Sequence, residues 1–530
     1  MLYAAGVGLF ALATPVAVQA LVNTAAFGTL VQPLVVLVAL LLLGLVFASV
    51  LKALKSWAVE VLQRRLFVDV VARLAYQLPR IDARSPERGD VRHPVHGFFE
   101  LFSIHKAAAS LLLGGVDAVL TALVGMLVLA FYHPMLLAFD VALIFAMLVI
   151  VFGLGRHGVS SAVDESTAKY AVVSFLSEVE STPYAFRSGA GREYTQQRLD
   201  GLSSTYLGAR ARHFRVVLRQ FVAALATQAF ASAALLGLGG YLVISRELTL
   251  GQLVAAELIV TTVVSALSDL GKHLEAYYDL VAGVYKLDKL LDLPVESEAE
   301  DLGDDDVAVG PARVALRDLH LSAGAHSLLD GAELTIEPGE RVLLSGPAGS
   351  GKTSLIELLY GLRRTQRGRV LLDGTDIREL ARPALRERVA VVRGSEIVAG
   401  TVIDNVRLGR SQITSGKVRA LLEEVGLSEE LGRLPNGLDT ELGLGGPRLT
   451  DSQAWRLTLA RALACSPGLL AIDADLASID ANSLAHVMSA IARPDAPWTL
   501  LVVGDVPDAP RLGMRRIRLE GGRFYEEGCS

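Results

Sequence analysis

The chain has 530 residues, 52% of them hydrophobic, and a mean hydropathy of +0.43. It is too apolar for an ordinary soluble protein of this length. A formal net charge of −6 argues against a general nucleic-acid binder. Two cysteines, Cys465 and Cys529, suggest neither a disulfide framework nor a zinc site.

The apolar residues are concentrated before about residue 280. No Lys or Arg precedes Lys52, so the first apolar run lacks the charged leader of a signal peptide, and a second run follows almost at once. Both read as retained spans. Six stretches are long enough to cross a bilayer, near 3–23, 31–51, 109–131, 135–155, 221–244 and 252–272. The last is the weakest and carries several polar residues. The links 24–30, Tyr132 to Pro134, and Ser245 to Gly251 are short. The links 52–108 and 156–220 are long and rich in Arg and Lys, which places them on the cytoplasmic side. Helical spacing through 56–78 and 165–180 predicts that the spans continue as rods beyond the bilayer. The chain thus reads as an integral membrane protein, with the cell or inner membrane as its location. Asp117, Asp140 and Glu257 fall inside predicted spans. They either line a translocation path or make interhelical hydrogen bonds.

Residues 292–312 are acidic and hold Pro and Gly, the composition of a solvated linker. Beyond them, short β-rich runs alternate with helical segments: Arg341 to Leu344, Arg369 to Leu372, Val389 to Val392, Leu469 to Ile472 and Leu500 to Val503. That pattern predicts an α/β domain with a largely parallel sheet. The expected organisation is a membrane domain over 1–291, a linker over 292–312 and an α/β domain over 313–530.

Within the α/β domain, Gly346, Pro347, Ala348, Gly349, Ser350, Gly351, Lys352, Thr353 and Ser354 spell the phosphate-loop pattern G-x-x-x-x-G-K-[ST]. The loop follows the strand RVLLS and precedes the helical run SLIELLYGL. Glycines let backbone N–H groups curl around phosphate, and a helix N-terminus adds a favourable dipole. Lys352 would reach the β- and γ-phosphates of ATP, and Thr353 would hold Mg²⁺.

The rest of 313–528 resembles an ATP-binding cassette domain, most visibly over 434–480. Leu434, Pro435, Gly437, Asp439 and Thr440 match LP-x-G-x-DT, and Arg456, Leu459, Ala460, Arg461, Ala462 and Leu463 match R-x-x-LARAL. Six spans followed by this domain is the layout of that family's exporters. The resemblance implies an all-α six-helix transmembrane domain followed by an α/β P-loop NTPase domain in the cytoplasm. It also implies short docking helices near Leu78 to Ser85 and Val179 to Arg187.

Several positions depart from the family pattern. The signature LSGGQ stands as Leu449, Thr450, Asp451, Ser452 and Gln453. Asp473 matches the Mg²⁺-associated aspartate, but the water-activating glutamate is Ala474 and the switch histidine aligns with Asp505. The loop glutamine is replaced by Arg393 or Gly394, and the adenine-stacking aromatic by Ala323. The resemblance then implies a transporter subunit that couples ATP binding to substrate movement, with impaired or partner-dependent hydrolysis. Its partner would be a second copy or another half-transporter of the family. The alternative is a pseudo-ATPase acting as a non-transporting membrane scaffold or regulatory partner.

Overall fold

The computed structural model describes residues 2–27, 32–82, 98–296, 309–323, 326–443, 447, 449–473, 479–504, 506, 509 and 511–527. The chain forms two units. One comprises Met1–Arg80 with Pro86–Leu293, and the other Ile81–Ser85 with Pro294–Ser530.

The first unit is helical among its described residues. Five of its helices are long and apolar enough to cross a membrane: Tyr3–Asn23, Leu34–Arg80, Glu100–Tyr132, Pro134–Leu154 and Gly189–Ile244. The sixth predicted span lies in the helix Leu250–Leu291, whose apolar part among the described residues is the shorter Leu250–Val263. Asp269 and Lys272, exposed and paired at 3.0 Å, interrupt the apolar run. The helices Gln32–Gln77, Gly189–Ile244 and Leu250–Leu291 have 46, 56 and 42 residues. At about 1.5 Å per residue each is roughly twice the thickness of a hydrocarbon core or more. Gln32–Gln77 holds the stretch 56–77 for which helical spacing predicted a rod, whereas 165–180 falls in a separate helix, Gly158–Ser181. The tightest link is at His133, whose Nδ1 accepts the Met135 N–H at 3.1 Å, with Pro134 opening the next helix. Of the two predicted docking regions, one holds the four-residue helix Pro183–Phe186. The other holds a 3₁₀ turn, Leu78–Arg80, and residues 83–97 lie outside the described residues.

Among the described residues two stretches of π-helix interrupt the membrane unit, at Leu111–Gly115 and Val149–Leu154. A π turn shifts the carbonyl ladder by one residue. In the second stretch the Ile150 carbonyl accepts from Gln220 Nε2 at 3.2 Å.

The second unit is built on a sheet of order β12-β11-β3-β10-β9-β6. Its strands are β3 (Arg341–Ser345), β6 (Val389–Val392), β9 (Leu469–Asp473), β10 (Thr499–Val503), β11 (Arg515–Glu520) and β12 (Arg523–Glu526). Neighbours are parallel except the edge pair β11–β12. LLAI within β9 and LLVV within β10 are unbroken apolar runs, as expected of a sheet covered by helices on both faces. One predicted strand belongs elsewhere. The run ending at Leu372 lies in β4 (Arg367–Leu372), which pairs antiparallel with β1 (Val314–Ala323). With β2 (His326–Ile336) and β5 (Thr375–Asp376) these make a separate antiparallel sheet. A run of four β-formers carries no record of its partner strand.

Described residues at the start of the predicted linker make defined contacts. Glu296 accepts from Arg386 Nη1 at 2.8 Å, and Ile81 bridges to Val295. Residues 297–308 lie outside the described residues.

Candidate functional site

Because β3, β6, β9 and β10 run parallel, their C-terminal ends meet at one edge of the sheet, where α/β proteins place ligands. The phosphate loop leaves β3 at that edge. Gly346 has φ +146°, and a Cβ there would lie 2.4 Å from the Leu519 carbonyl oxygen. Gly351 has φ +102° and caps the helix Lys352–Leu359 without any side-chain hydrogen bond. A residue with a side chain would be strained at either position. Lys352 Nζ folds back on the loop, donating to the carbonyls of Gly346 at 2.7 Å and Pro347 at 2.8 Å. The first-turn amides of the helix are therefore left for an anion.

Asp473 ends β9 and Arg393 follows β6 at the same edge. Arg393 Nε lies 3.7 Å from Asp473 Oδ2, and its Nη1 donates to Glu357 Oε1 at 2.8 Å. The sequence left Arg393 and Gly394 open as the residue in the loop-glutamine position. The structure puts the Arg393 side chain at the site. Glu357, on the helix that follows the phosphate loop, also accepts from Arg363 Nε at 2.6 Å. Burial alone would raise its pKa, but the two guanidinium groups outweigh that and hold it below the usual carboxylate range. As a divalent-metal site, Thr353 with Asp473 fits poorly, because the Asp473 carboxylate already faces a cation.

The signature segment opens the helix Asp451–Ala464. Thr450 Oγ1 accepts from the Gln453 N–H at 3.2 Å, and Gln453 Oε1 accepts from the Thr450 N–H at 2.9 Å, a complete capping box. Asp451 adds a carboxylate to the first turn. Gln453 and Arg456 both donate to Glu430, at 2.6 and 2.8 Å. Further along the helix, buried Arg461 donates to Asn405 at 2.7 and 2.9 Å, which ties the R-x-x-LARAL segment to a neighbouring helix. Ala474 and Asp505 lie outside the described residues, and Ala323 ends β1 with its side chain not described.

Residues 329–476 match the family described as ABC transporter. This part of the chain is an ABC transporter ATP-binding domain. Over 213 residues the chain is 34% identical to the Mycobactin import ATP-binding/permease protein IrtB of Mycolicibacterium thermoresistibile, covering 40% of this chain and 37% of that protein. Over 401 residues it is 25% identical to an ATP-dependent lipid A-core flippase of Desulfotalea psychrophila, covering 74% and 68%. The chain thus spans little more than a third of one relative and two thirds of the other. A solved structure of a bacterial Atm1-family ABC exporter with ATP bound superposes with a TM-score of 0.82 at 20% identity, across 99% of this chain and 94% of that one. The chain has the fold of an exporter-type ABC half-transporter, a membrane domain fused to the ATP-binding domain.

The three carboxylates singled out in the membrane domain differ in surroundings. Asp117 pairs with Lys55, which also donates to the Leu113 carbonyl at 2.9 Å. Both carboxylate oxygens of Asp140 and one of Glu257 are buried without a hydrogen-bond partner among the described residues. None of the three lines the large cavity of this domain, which measures ≈ 820 Å³. Its walls come from both π stretches and from the helix Leu250–Leu291, and its polar groups include Arg156, His273, Tyr277 and Tyr278. Tyr278 fits because Gly155 and Gly158 face it; a Cβ on either would lie 2.6 Å or less from its ring or hydroxyl. Sequence reading missed this cavity, because π turns leave no mark in an apolar run.

Proposed function

We propose that this chain is one half of a dimeric ABC exporter-type transporter of the inner membrane, in which ATP binding moves a substrate and hydrolysis by the chain alone is crippled. The observation that carries the reading is the complete phosphate loop, with uncapped helix amides and Lys352, on a chain whose helices are long and apolar enough to cross a membrane. Asp451 in the signature turn opposes phosphate binding by a partner's nucleotide. Alanine at 474 cannot act as a general base, a role usually worth about 10²–10⁴-fold.

In this family arrangement each nucleotide site combines one chain's phosphate loop and base with the other chain's signature. A homodimer would repeat both defects in each site. A heterodimer with an intact half-transporter would keep a base in one site only, the site facing Thr450, Asp451 and Ser452. Relatives named for lipid A-core and for mycobactin, together with the ≈ 820 Å³ mostly apolar cavity, favour a large solute with an apolar part. The test is reconstitution in vesicles, with and without an intact half-transporter, measuring ATP binding and solute flux. ATP binding weakened by Lys352→Ala, together with ATP-dependent flux, supports the reading. Flux that ignores ATP and Lys352→Ala rejects it in favour of a scaffold.

A further inference from the structure

The Asp473 carboxylate is where a divalent ion would sit in a phosphate-loop ATPase, yet in this chain it faces the guanidinium of Arg393 at 3.7 Å. That guanidinium is anchored rather than loose. Glu357 Oε1 accepts from Nη1 at 2.8 Å, and Glu357 is itself fixed by Arg363 at 2.6 Å. Glu357 lies on the helix that carries Lys352 and Thr353 on its first turn, so the arginine is tied to the element that receives phosphate. The side chain remains 54% exposed, and its Nη2 makes no hydrogen bond to a described residue. A planar fork with a free N–H pair matches two phosphate oxygens. A divalent cation at Asp473 would have to displace this guanidinium or sit beside it against like charge.

We propose that Arg393 serves as a built-in cation of the nucleotide site, so that ATP binds to this chain without a divalent metal, held by Lys352 on one side and Arg393 on the other. The proposal rests on the reading that the phosphate loop binds ATP. It assigns Arg393 a positioning and charge-neutralising role and involves no chemical step.

The experiment uses the purified full chain and radiolabelled ATP in equilibrium dialysis, with MgCl₂ or with EDTA. The wild type is expected to show affinities within about threefold of each other in the two conditions. Arg393→Gln is expected to lose about tenfold or more in EDTA, the size of a lost charge-assisted contact, and to regain much of it with Mg²⁺. Arg393→Lys keeps the charge and is expected to fall between. Because the side chain is half exposed, the thermal midpoint of Arg393→Gln should match the wild type, which separates a local loss from misfolding. Mn²⁺ added with ATP and followed by electron paramagnetic resonance should show protein-bound metal in Arg393→Gln and not in the wild type. Wild-type binding that collapses in EDTA, with Arg393→Gln indistinguishable from it, overturns the inference and leaves ATP binding standing. Absence of ATP binding in every condition overturns both.

Discussion

Two helix N-termini in the ATP-binding domain carry the residues on which nucleotide chemistry would depend, and they are finished in opposite ways. The helix Lys352–Leu359 begins at a glycine in the left-handed region with no side-chain cap, and a lysine stands at its first position. The helix Asp451–Ala464 begins with a closed capping box and an aspartate in the first turn. Both helices have the same dipole, equivalent to about half a positive charge at the N-terminus. One leaves that charge and its amides for an external anion. The other spends part of both on its own Thr450, Gln453 and Asp451. An anion site is therefore made by what a helix start leaves unsatisfied, and the two starts differ in that respect.

Lys352→Ala breaks the productive side of this comparison and should have the largest effect. ATP affinity is expected to fall by about 10–100-fold, the scale of losing charge-assisted contacts to phosphate. Equilibrium binding checks it, and unchanged affinity would mean that the loop is not the binding site. The silent side is sharpened by Asp451→Gly with Ser452→Gly, co-expressed with an intact half-transporter. Removing a carboxylate that faces phosphate should raise ATPase turnover by about tenfold. Ala474→Glu in the same pair should change turnover by less than about twofold, because Ala474 belongs to the other composite site, which still carries Asp505 in place of the switch histidine. Turnover that responds to Ala474→Glu and ignores Asp451→Gly would reverse the assignment of the two sites.

A smaller effect probes the membrane domain, where charge is buried rather than left for a ligand. Lys286 Nζ sits 3.7 Å from the Tyr170 ring centre and has no hydrogen-bond partner among the described residues. Burial pushes its pKa from 10.5 down to about 7, with Glu100 opposing and Lys169 assisting that shift. Above about pH 7 the unfolded chain holds a proton that the folded one lacks, so stability should rise with pH until the ordinary lysine range is reached. The thermal midpoint in detergent should increase from pH 7 to pH 9 by about 2–4 °C. Lys286→Met should flatten the profile. A wild-type midpoint that falls over the same interval would place the charged form of Lys286 in the fold.

Much of this was legible in the sequence, for a local reason. The phosphate loop is written as glycines at positions where the backbone needs φ above zero, and lysine and threonine follow at fixed spacing. The long helix Gln32–Gln77 is written as helical spacing that continues past its apolar run. What stayed hidden depends on partners far along the chain. Arg393 and Gly394 could not be separated until β6 was seen to end at Val392, which puts Arg393 first beyond the strand. The Arg393–Glu357 and Arg393–Asp473 contacts join residues 36 and 80 positions apart, and no spacing rule reports them. The placement of β4 in the antiparallel sheet fails for the same reason. The π stretches beside the cavity fail for another, since apolar residues on every side of a helix conceal a shift of one residue in the ladder.

The central claim, binding without turnover, is tested most directly by measuring both on one sample. Purified full-length protein would be titrated with ATP to saturation and then assayed for phosphate release at that concentration. The account predicts saturable binding that Lys352→Ala weakens, and phosphate release no faster than that of Lys352→Ala. Turnover by the wild-type homodimer in the range usual for enzymes, about 1–10³ s⁻¹ and lost in Lys352→Ala, would contradict it.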